Sequence, residues 1–285
     1  MTSPIVILGA ARSGTKFLRD LLATSPGAKA VPYDVNYVWR YQAEAATDDL
    51  LSPEDLSIAK RDFILSTVRS LAGIAEGDQE TAMIEKTVSN TLRVPFVASI
   101  MPNAHFVHLV RDGREVTESA MRMWQAPPDF GALWTKLRGI PLSNLGYVFW
   151  FAGNFAKGLV SGRGGGKVWG PRYPGIETDA TALPLSAVCA RQWLHCVTAA
   201  RRDLALLPPE QVHEIRYEDL IRDPQTLQWL VERLGLPGGA QIIQTYKSRL
   251  RAGKPGAWRE KMAEADQAAM QQEIGPALDR LGYTD

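Results

Sequence analysis

Short apolar runs alternate along this chain with stretches whose apolar positions recur at helical spacing. Ile5-Val6-Ile7-Leu8 predicts a buried strand, and Phe17, Leu18, Leu21 and Leu22 then fall on one helix face. Ala82-Met83-Ile84, His105 to Val110 and Val212 to Arg216 predict three more strands. Helices are predicted from Pro53 to Leu71, with Ser52 or Asp48 as the start signal and Gly73 and Gly77 as stops, and from Ser89 or Asn90 to about Met101. Further helices are predicted from about Glu115 to Trp124, from Ala187 to Leu207, from Leu227 to Leu234 and from about Glu264 to Leu281. Residues 30–37 read as irregular. Residues 125–185 lack strong periodicity and are rich in Gly, Pro and aromatics, which predicts an insertion lying over a site. Strands separated by helices point to a single α/β domain over 1–285: three layers, with a central, mostly parallel sheet flanked by helices.

Composition narrows the function classes. At 285 residues and 45% hydrophobic, the chain can fill a sizeable core. Its 32 Lys plus Arg nearly balance 31 Asp plus Glu, so no overall field recruits nucleic acid or an anionic membrane. No stretch reaches the roughly 18 apolar residues of a membrane span, and no basic segment leads into a long apolar run, so a cytoplasmic protein is expected. Cys189 and Cys196 lie about 10 Å apart along one predicted helix at 1.5 Å per residue, which makes them reduced packing residues.

Candidate chemistry sits where strands end. Between the first strand and helix the chain reads Gly9-Ala10-Ala11-Arg12-Ser13-Gly14-Thr15-Lys16. Gly9 and Gly14 permit a tight turn, and a helix N-terminus pointing into it binds phosphate or sulfate. The order Thr15-Lys16 exchanges the last two positions of the nucleotide triphosphate pattern, so the hydroxyl that would hold magnesium is an ammonium here. Arg12 and Lys16 then supply the cationic groups, without a metal. Glu85 and Lys86 close the second predicted strand, Arg111 follows the third with Ser119 eight residues on, and Tyr217 follows the fourth. Asp34 stands among Tyr33, Val35 and Tyr37, where partial desolvation suits a base, or else it caps a turn. A basic loop with turn residues runs from Arg251 through Gly253 to Arg259. Competing structural readings exist: Arg111 pairing with Asp112 or Glu115, Glu85 pairing with Lys86, and Arg201-Arg202 as a solvated helix turn. His105, His108, His195 and His213 have no partners at metal-ligand spacing.

This set resembles the sulfotransferases that use 3′-phosphoadenosine-5′-phosphosulfate, in particular bacterial, carbohydrate-type members. Gly9 to Leu18 resembles their 5′-phosphosulfate loop, Val110-Arg111 through Ser119 their 3′-phosphate motif, Tyr217-Glu218-Asp219-Leu220 a segment near their nucleotide, and Arg251-x-Gly253-x-x-Gly256-x-Trp258 their late 3′-phosphate loop. Departures are Lys16 in place of a second threonine, Ala252 and Ala257 in place of a frequent lysine and aspartate, and Val88 where a histidine base often follows Lys-Thr.

The resemblance implies that Arg12, Ser13, Gly14, Thr15, Lys16 and Phe17 hold the 5′ side of the donor, and that Arg111, Ser119, Tyr217, Arg251 and Gly253 hold the nucleotide and its 3′-phosphate. Lys16 and Lys86 serve the transferring group. Asp34 is the base, similar to the carboxylate of a Pro-x-Glu segment, with Glu85 as second candidate. The implied activity moves a sulfuryl group to a hydroxyl acceptor, a glycan or glycolipid, with no metal; a small alcohol or phenol is the other acceptor class. A kinase or nucleotide hydrolase, with Asp112 as its strand-end carboxylate, and a non-catalytic nucleotide-binding module are the alternatives.

Overall fold

Strands β1 (Ile5–Leu8), β2 (Ala28–Ala30), β3 (Ala82–Glu85), β4 (His105–Val110) and β5 (Val212–Arg216) form one sheet in the order β2-β3-β1-β4-β5. Every neighbouring pair is parallel, with Ile5 in register with both Ile84 and His105. The computed structural model describes residues 2–43, 45–126, 168–250 and 256–283. The chain leaves β1 towards β2 and β3 on one side and reaches β4 and β5 on the other. A crevice therefore opens at the carboxyl end of β1, where parallel sheets bind ligands.

Successive residues of β1 serve opposite layers, as a period of two requires. Val6 and Leu8 pack with Phe106, Trp39, Ile64, Val68 and Phe96, whereas Ile5 and Ile7 pack with Leu18, Leu21, Val107, Leu227 and Leu230. The helices that cover these faces include α1 (Thr15–Leu22), α2 (Asn36–Trp39), α3 (Ile58–Leu71), α4 (Val94–Ile100) and α5 (Gly113–Gln125). Beyond residue 167 come α6 (Ile176–Ala182), α7 (Leu185–Leu204), α8 (Tyr217–Arg222), α9 (Pro224–Arg233), α10 (Gly239–Arg249), α11 (Trp258–Lys261) and α12 (Glu264–Arg280). A third cluster, built on Val116, Trp193, Ile274 and Leu278, joins α5, α7 and α12.

The three-layer parallel architecture agrees with the sequence reading; several elements differ from it. Residues 30–37 are not simply irregular, because Ala30 ends β2 and Asn36 opens α2. The predicted helix from Pro53 is a 3-10 turn, Pro53–Asp55, followed by α3, which is capped by Ser57 accepting the Lys60 N–H at 3.2 Å. The segment from Ser89 divides likewise into a 3-10 turn (Val88–Leu92) and α4, with Pro95 in the first turn where a missing N–H costs nothing. Helix α10 had no counterpart in the sequence reading. Within 125–185, residues 127–167 lie outside the described residues, and α6 gives regular structure to 176–182. Cys189 and Cys196 are free and buried, as expected. No helix among the described residues is long and apolar enough to cross a membrane.

Candidate active site

From Leu8 the chain turns through Gly9 to Gly14 into α1. Arg12, at φ 76°, and Gly14, at φ 93°, take left-handed backbone. Such geometry costs a non-glycine residue about 1–2 kcal/mol, and strain of this kind collects at ligand clamps. Glycine is demanded by space as well. A Cβ on Gly9 would stand 2.7 Å from Thr15 Cγ2 and 2.8 Å from Leu109 O; one on Gly14 would stand 2.5 Å from the Tyr217 ring. Among the described residues no side chain caps α1, so its first N–H groups face the loop unclaimed. The buried Ser13 Oγ has no partner among the described residues. Orphan donors around a left-handed turn fit a phosphate or sulfate. Arg12 and Lys16 are exposed at its mouth, and Thr15 is buried behind it. Phe17 is half-buried, its ring 6.4 Å from that of Tyr246.

The second cationic strand end meets this loop. Arg111 Nη1 donates to Arg12 O at 3.0 Å, and Arg12 Nε donates to Ser119 Oγ at 2.9 Å. The Arg111 guanidinium lies 4.4 Å from the centroid of Tyr217, whose ring also closes on Gly14. Ser119 thus joins the anion loop through Arg12. Partial burial of the Arg12 guanidinium first, then the cations Arg122 and Arg111, push it below its ordinary range although the residue reaches solvent, so an anion among them relieves a repulsion. Arg111 also stands 3.9 Å from Glu115, whose carboxylate accepts the Gly256 N–H at 2.7 Å. That contact brings the far end of the late basic loop to the same cluster. Arg251 and Gly253 themselves lie outside the described residues. Asp112, the carboxylate that a triphosphate enzyme would need here, is engaged elsewhere: it caps α5 by accepting the Arg114 N–H at 2.9 Å and pairs with the Arg114 guanidinium at 2.9 Å.

Lys86 and Asp34 form the other half of the site. Lys86 Nζ lies 2.6 Å from Asp34 Oδ2, with the lysine side chain 6% and the aspartate 35% exposed. Val88 N–H donates to Asp34 Oδ1 at 3.0 Å, so the carboxylate is oriented from two sides while one face stays open. It is therefore Asp34, not Glu85, that pairs with Lys86.

Glu85 is wholly buried and accepts from Trp39 Nε1 at 3.2 Å, Thr87 Oγ1 at 2.5 Å and Asn90 Nδ2 at 2.9 Å. Burial pushes its carboxyl up from the ordinary range. With no exposed surface it cannot meet an acceptor, so the second candidate base is a structural group. The alternation of the strand end turns Glu85 towards Trp39 and leaves Lys86 to the site.

Arg19 escaped the sequence reading. Buried on α1, it donates Nη1 to Pro32 O at 2.7 Å and to Val31 O at 3.3 Å, tying the loop that carries Asp34 to the helix that begins the anion loop. Its only signal was a basic residue beside the apolar face of α1. Arg201 is not merely solvated, since it pairs with Glu214 on β5. His105 Nδ1 and His213 Nε2 are 3.1 Å apart, and His108 Nδ1 lies 3.0 Å from Glu214. No cluster of metal-ligating side chains occurs among the described residues.

Residues 4–136, a little under half of the chain, match the model of the Sulfotransferase family. That span holds Arg12, Lys16, Asp34, Lys86, Arg111 and Ser119. No curated protein matches the chain. Among solved structures, the sulfotransferase domain from the curacin biosynthetic pathway is similar over 100% of this chain and 99% of its own, with 17% identity and a TM-score of 0.51. The sulfotransferase STF9 from Mycobacterium avium is similar over 98% of this chain and 77% of its own, with 12% identity and a TM-score of 0.55. At these identities the likeness is one of fold.

Proposed function

We propose that this chain is a sulfotransferase that moves a sulfuryl group from 3′-phosphoadenosine-5′-phosphosulfate to a hydroxyl of a carbohydrate or glycoconjugate. The observation that carries the donor assignment is the joining of two anion sites. The Gly9–Gly14 loop, which carries the orphan donors, is bonded to the second strand end by Arg12, whose Nε donates to Ser119 and whose O accepts from Arg111; this suits a ligand with phosphates at both ends of one nucleoside. The N–H groups opening α1, Ser13 Oγ, Arg12 and Lys16 hold the 5′ side. Arg111 and Ser119, with Arg251 and Gly253, hold the 3′-phosphate, for which a guanidinium is the matched donor. Tyr217 offers the nucleoside a flat face already braced by Arg111.

Transfer of a sulfuryl group needs in-line geometry, charge stabilisation at the bridging oxygen and removal of one proton. The acceptor oxygen attacks sulfur, the bond from sulfur to the bridging oxygen breaks, and that oxygen leaves on the nucleotide with the electron pair. Asp34 takes the acceptor proton, and Lys86 donates to the oxygens that gain charge. The 2.6 Å contact between these side chains supports their acting on one reacting centre. The insertion supports the carbohydrate assignment by its aromatic and glycine-rich composition. Its return is pinned near α2, where Arg172 N–H and O both bond to Asp49 at 2.8 Å.

Titration calorimetry with adenosine 3′,5′-bisphosphate, beside ADP and ATP with and without magnesium, tests the donor. Tight binding selective for the 3′-phosphate and persisting in chelator is expected. Arg111→Ala should weaken it roughly 10- to 100-fold, the loss of charged hydrogen bonds worth about 1.5–3 kcal/mol. Equal or better magnesium-dependent binding of ATP would return the loop to the triphosphate class. A panel of sugar, alcohol and phenol acceptors then separates the acceptor classes.

A further inference from the structure

A continuous path of buried and partly buried hydrogen bonds runs from the return of the insertion to the candidate base. Asp49, fully buried, accepts four of them: from Asn36 Nδ2 at 2.9 Å and Arg40 Nη1 at 3.0 Å on Oδ1, and from Ser89 Oγ and Arg172 N–H at 2.8 Å each on Oδ2. Asn36 Oδ1 in turn accepts from Arg93 Nη2 at 2.5 Å, and Arg93 Nε donates to Asn90 Oδ1 at 2.8 Å. Asn90 donates to Glu85 at 2.9 Å, and Glu85 holds Thr87 Oγ1 at 2.5 Å. Thr87 Oγ1 accepts the Val35 N–H at 3.1 Å, one residue beyond Asp34. Two guanidiniums, Arg40 and Arg93, and two carboxyl groups, Asp49 and Glu85, are each at most 2% exposed. Apolar packing would fill this volume at less desolvation cost; what the network supplies in its place is fixed geometry.

We propose that Asp49 is a positioning residue for the Lys86–Asp34 pair, holding the Asp34 loop in place through Asn36, Arg93, Asn90, Glu85 and Thr87. The proposal rests on the sulfotransferase reading of that pair. The chemistry of Asp49 makes it testable, because four donors converge on two oxygens and only a carboxylate accepts them all. In Asp49→Asn one end becomes an NH2 group. Facing one way it meets the Asn36 and Arg40 donors; facing the other it meets the Arg172 N–H. Asn36 cannot turn to compensate without releasing Arg93.

The variants are Asp49→Asn, Asn36→Ala and their combination, with Arg172→Ala as control, since Arg172 reaches Asp49 only through its backbone. Amide hydrogen exchange is read at Val35 and Val88, the two N–H groups bonded to Thr87 and Asp34. Affinity for adenosine 3′,5′-bisphosphate and its release from the phosphosulfate donor in water are measured on the same samples. Each single variant should speed exchange at both amides roughly 10-fold or more and slow release by a similar factor, with nucleotide affinity held within about 2-fold. The double variant should fall no further than the singles, as members of one network do. Arg172→Ala should match the wild type. Unchanged exchange at Val35 and Val88 in Asn36→Ala overturns the proposal even if Asp49→Asn fails to fold. Nucleotide affinity falling in step with release overturns it too, as does additivity. Wild-type protein that binds no bisphosphate sinks the donor reading instead, and the exchange measurements still decide the network.

Discussion

Gly14 shows how much of the site depends on one missing side chain. Its φ of 93° strains any other residue, and the Tyr217 ring, which would lie 2.5 Å from a Cβ, blocks one independently. Gly14→Ala must either displace the ring that Arg111 braces or unwind the first turn of α1. A loss of about 1–3 kcal/mol in urea denaturation is expected, with bisphosphate binding at least 10-fold weaker by calorimetry. Wild-type affinity in that variant would mean that the ring is not seated on the loop. Asp34 makes the opposite kind of demand, for charge instead of space. Asp34→Asn keeps a carbonyl oxygen for the Val88 N–H but removes the proton acceptor, so turnover should fall roughly 100-fold or more at unchanged bisphosphate affinity. Unaltered turnover would remove Asp34 from the mechanism. Both residues were legible in the sequence, Gly14 by its place in a strand-to-helix turn and Asp34 as a lone acid among apolar neighbours. What could not be read was the partner of each, because Tyr217 and Lys86 arrive from β5 and β3 only when the sheet assembles.

Among the elements, α5 has the most to carry: Asp112 caps it, Ser119 meets the anion loop, and Gly113 sits where α5, α7 and α12 meet. A Cβ on Gly113 would come within 2.9 Å of Ile274 Cδ1 and of Trp193 Cδ2 and Cε2. Trp193 cannot easily yield, since its Nε1 donates to Arg111 O at 3.1 Å. Gly113→Ala is therefore expected to cost about 1–3 kcal/mol in denaturant and to disturb Arg111, so that nucleotide affinity falls together with stability. A stable variant with weakened binding alone would place the strain elsewhere. Long elements such as α7 and α12 announced themselves by repeated apolar positions, which three or four residues cannot do. That is why β2 and α2 were missed, and why α3 and α4 were read without the 3-10 turns before them. β3 is buried at every position, so its sequence carried no alternation to show that Glu85 faces the core.

At the scale of the whole molecule, the order of the sheet decides which residues can share a site. The carboxyl ends of β1, β3, β4 and β5 deliver Arg12, Lys86, Arg111 and Tyr217 to one edge, and that convergence was legible because parallel strands end on the same side. The polar contacts between β4 and β5 were not legible, being set by register: Val107 opposite His213 and His108 opposite Glu214. They give the fold a pH response with two separable steps. Burial, then the neighbouring His105 and Arg233, depresses His213 from 6.5 to about 4, so the folded state resists a proton that the unfolded chain accepts. His105 and His195 are lowered in the same direction, chiefly by burial. The contribution of His213 is thus complete above pH 6.5 and falls as the pH drops towards about 4. Glu214 follows a different rule. Burial alone would raise it, but donors from His108 and Arg201 outweigh burial and hold it at about 2, below its ordinary 4.5. Its contribution is present above pH 4.5 and is lost as the pH falls to about 2, together with those of Asp49 and Asp179, which are also held low. Urea midpoints measured from pH 8 to pH 3 should show both declines, on the order of 1–3 kcal/mol for the upper one. His213→Gln should shrink the upper decline and spare the lower; Glu214→Gln should do the reverse. If His213→Gln leaves the upper decline intact, the buried ring is not what resists the proton, and the β4–β5 edge is not the acid-sensitive part of the fold.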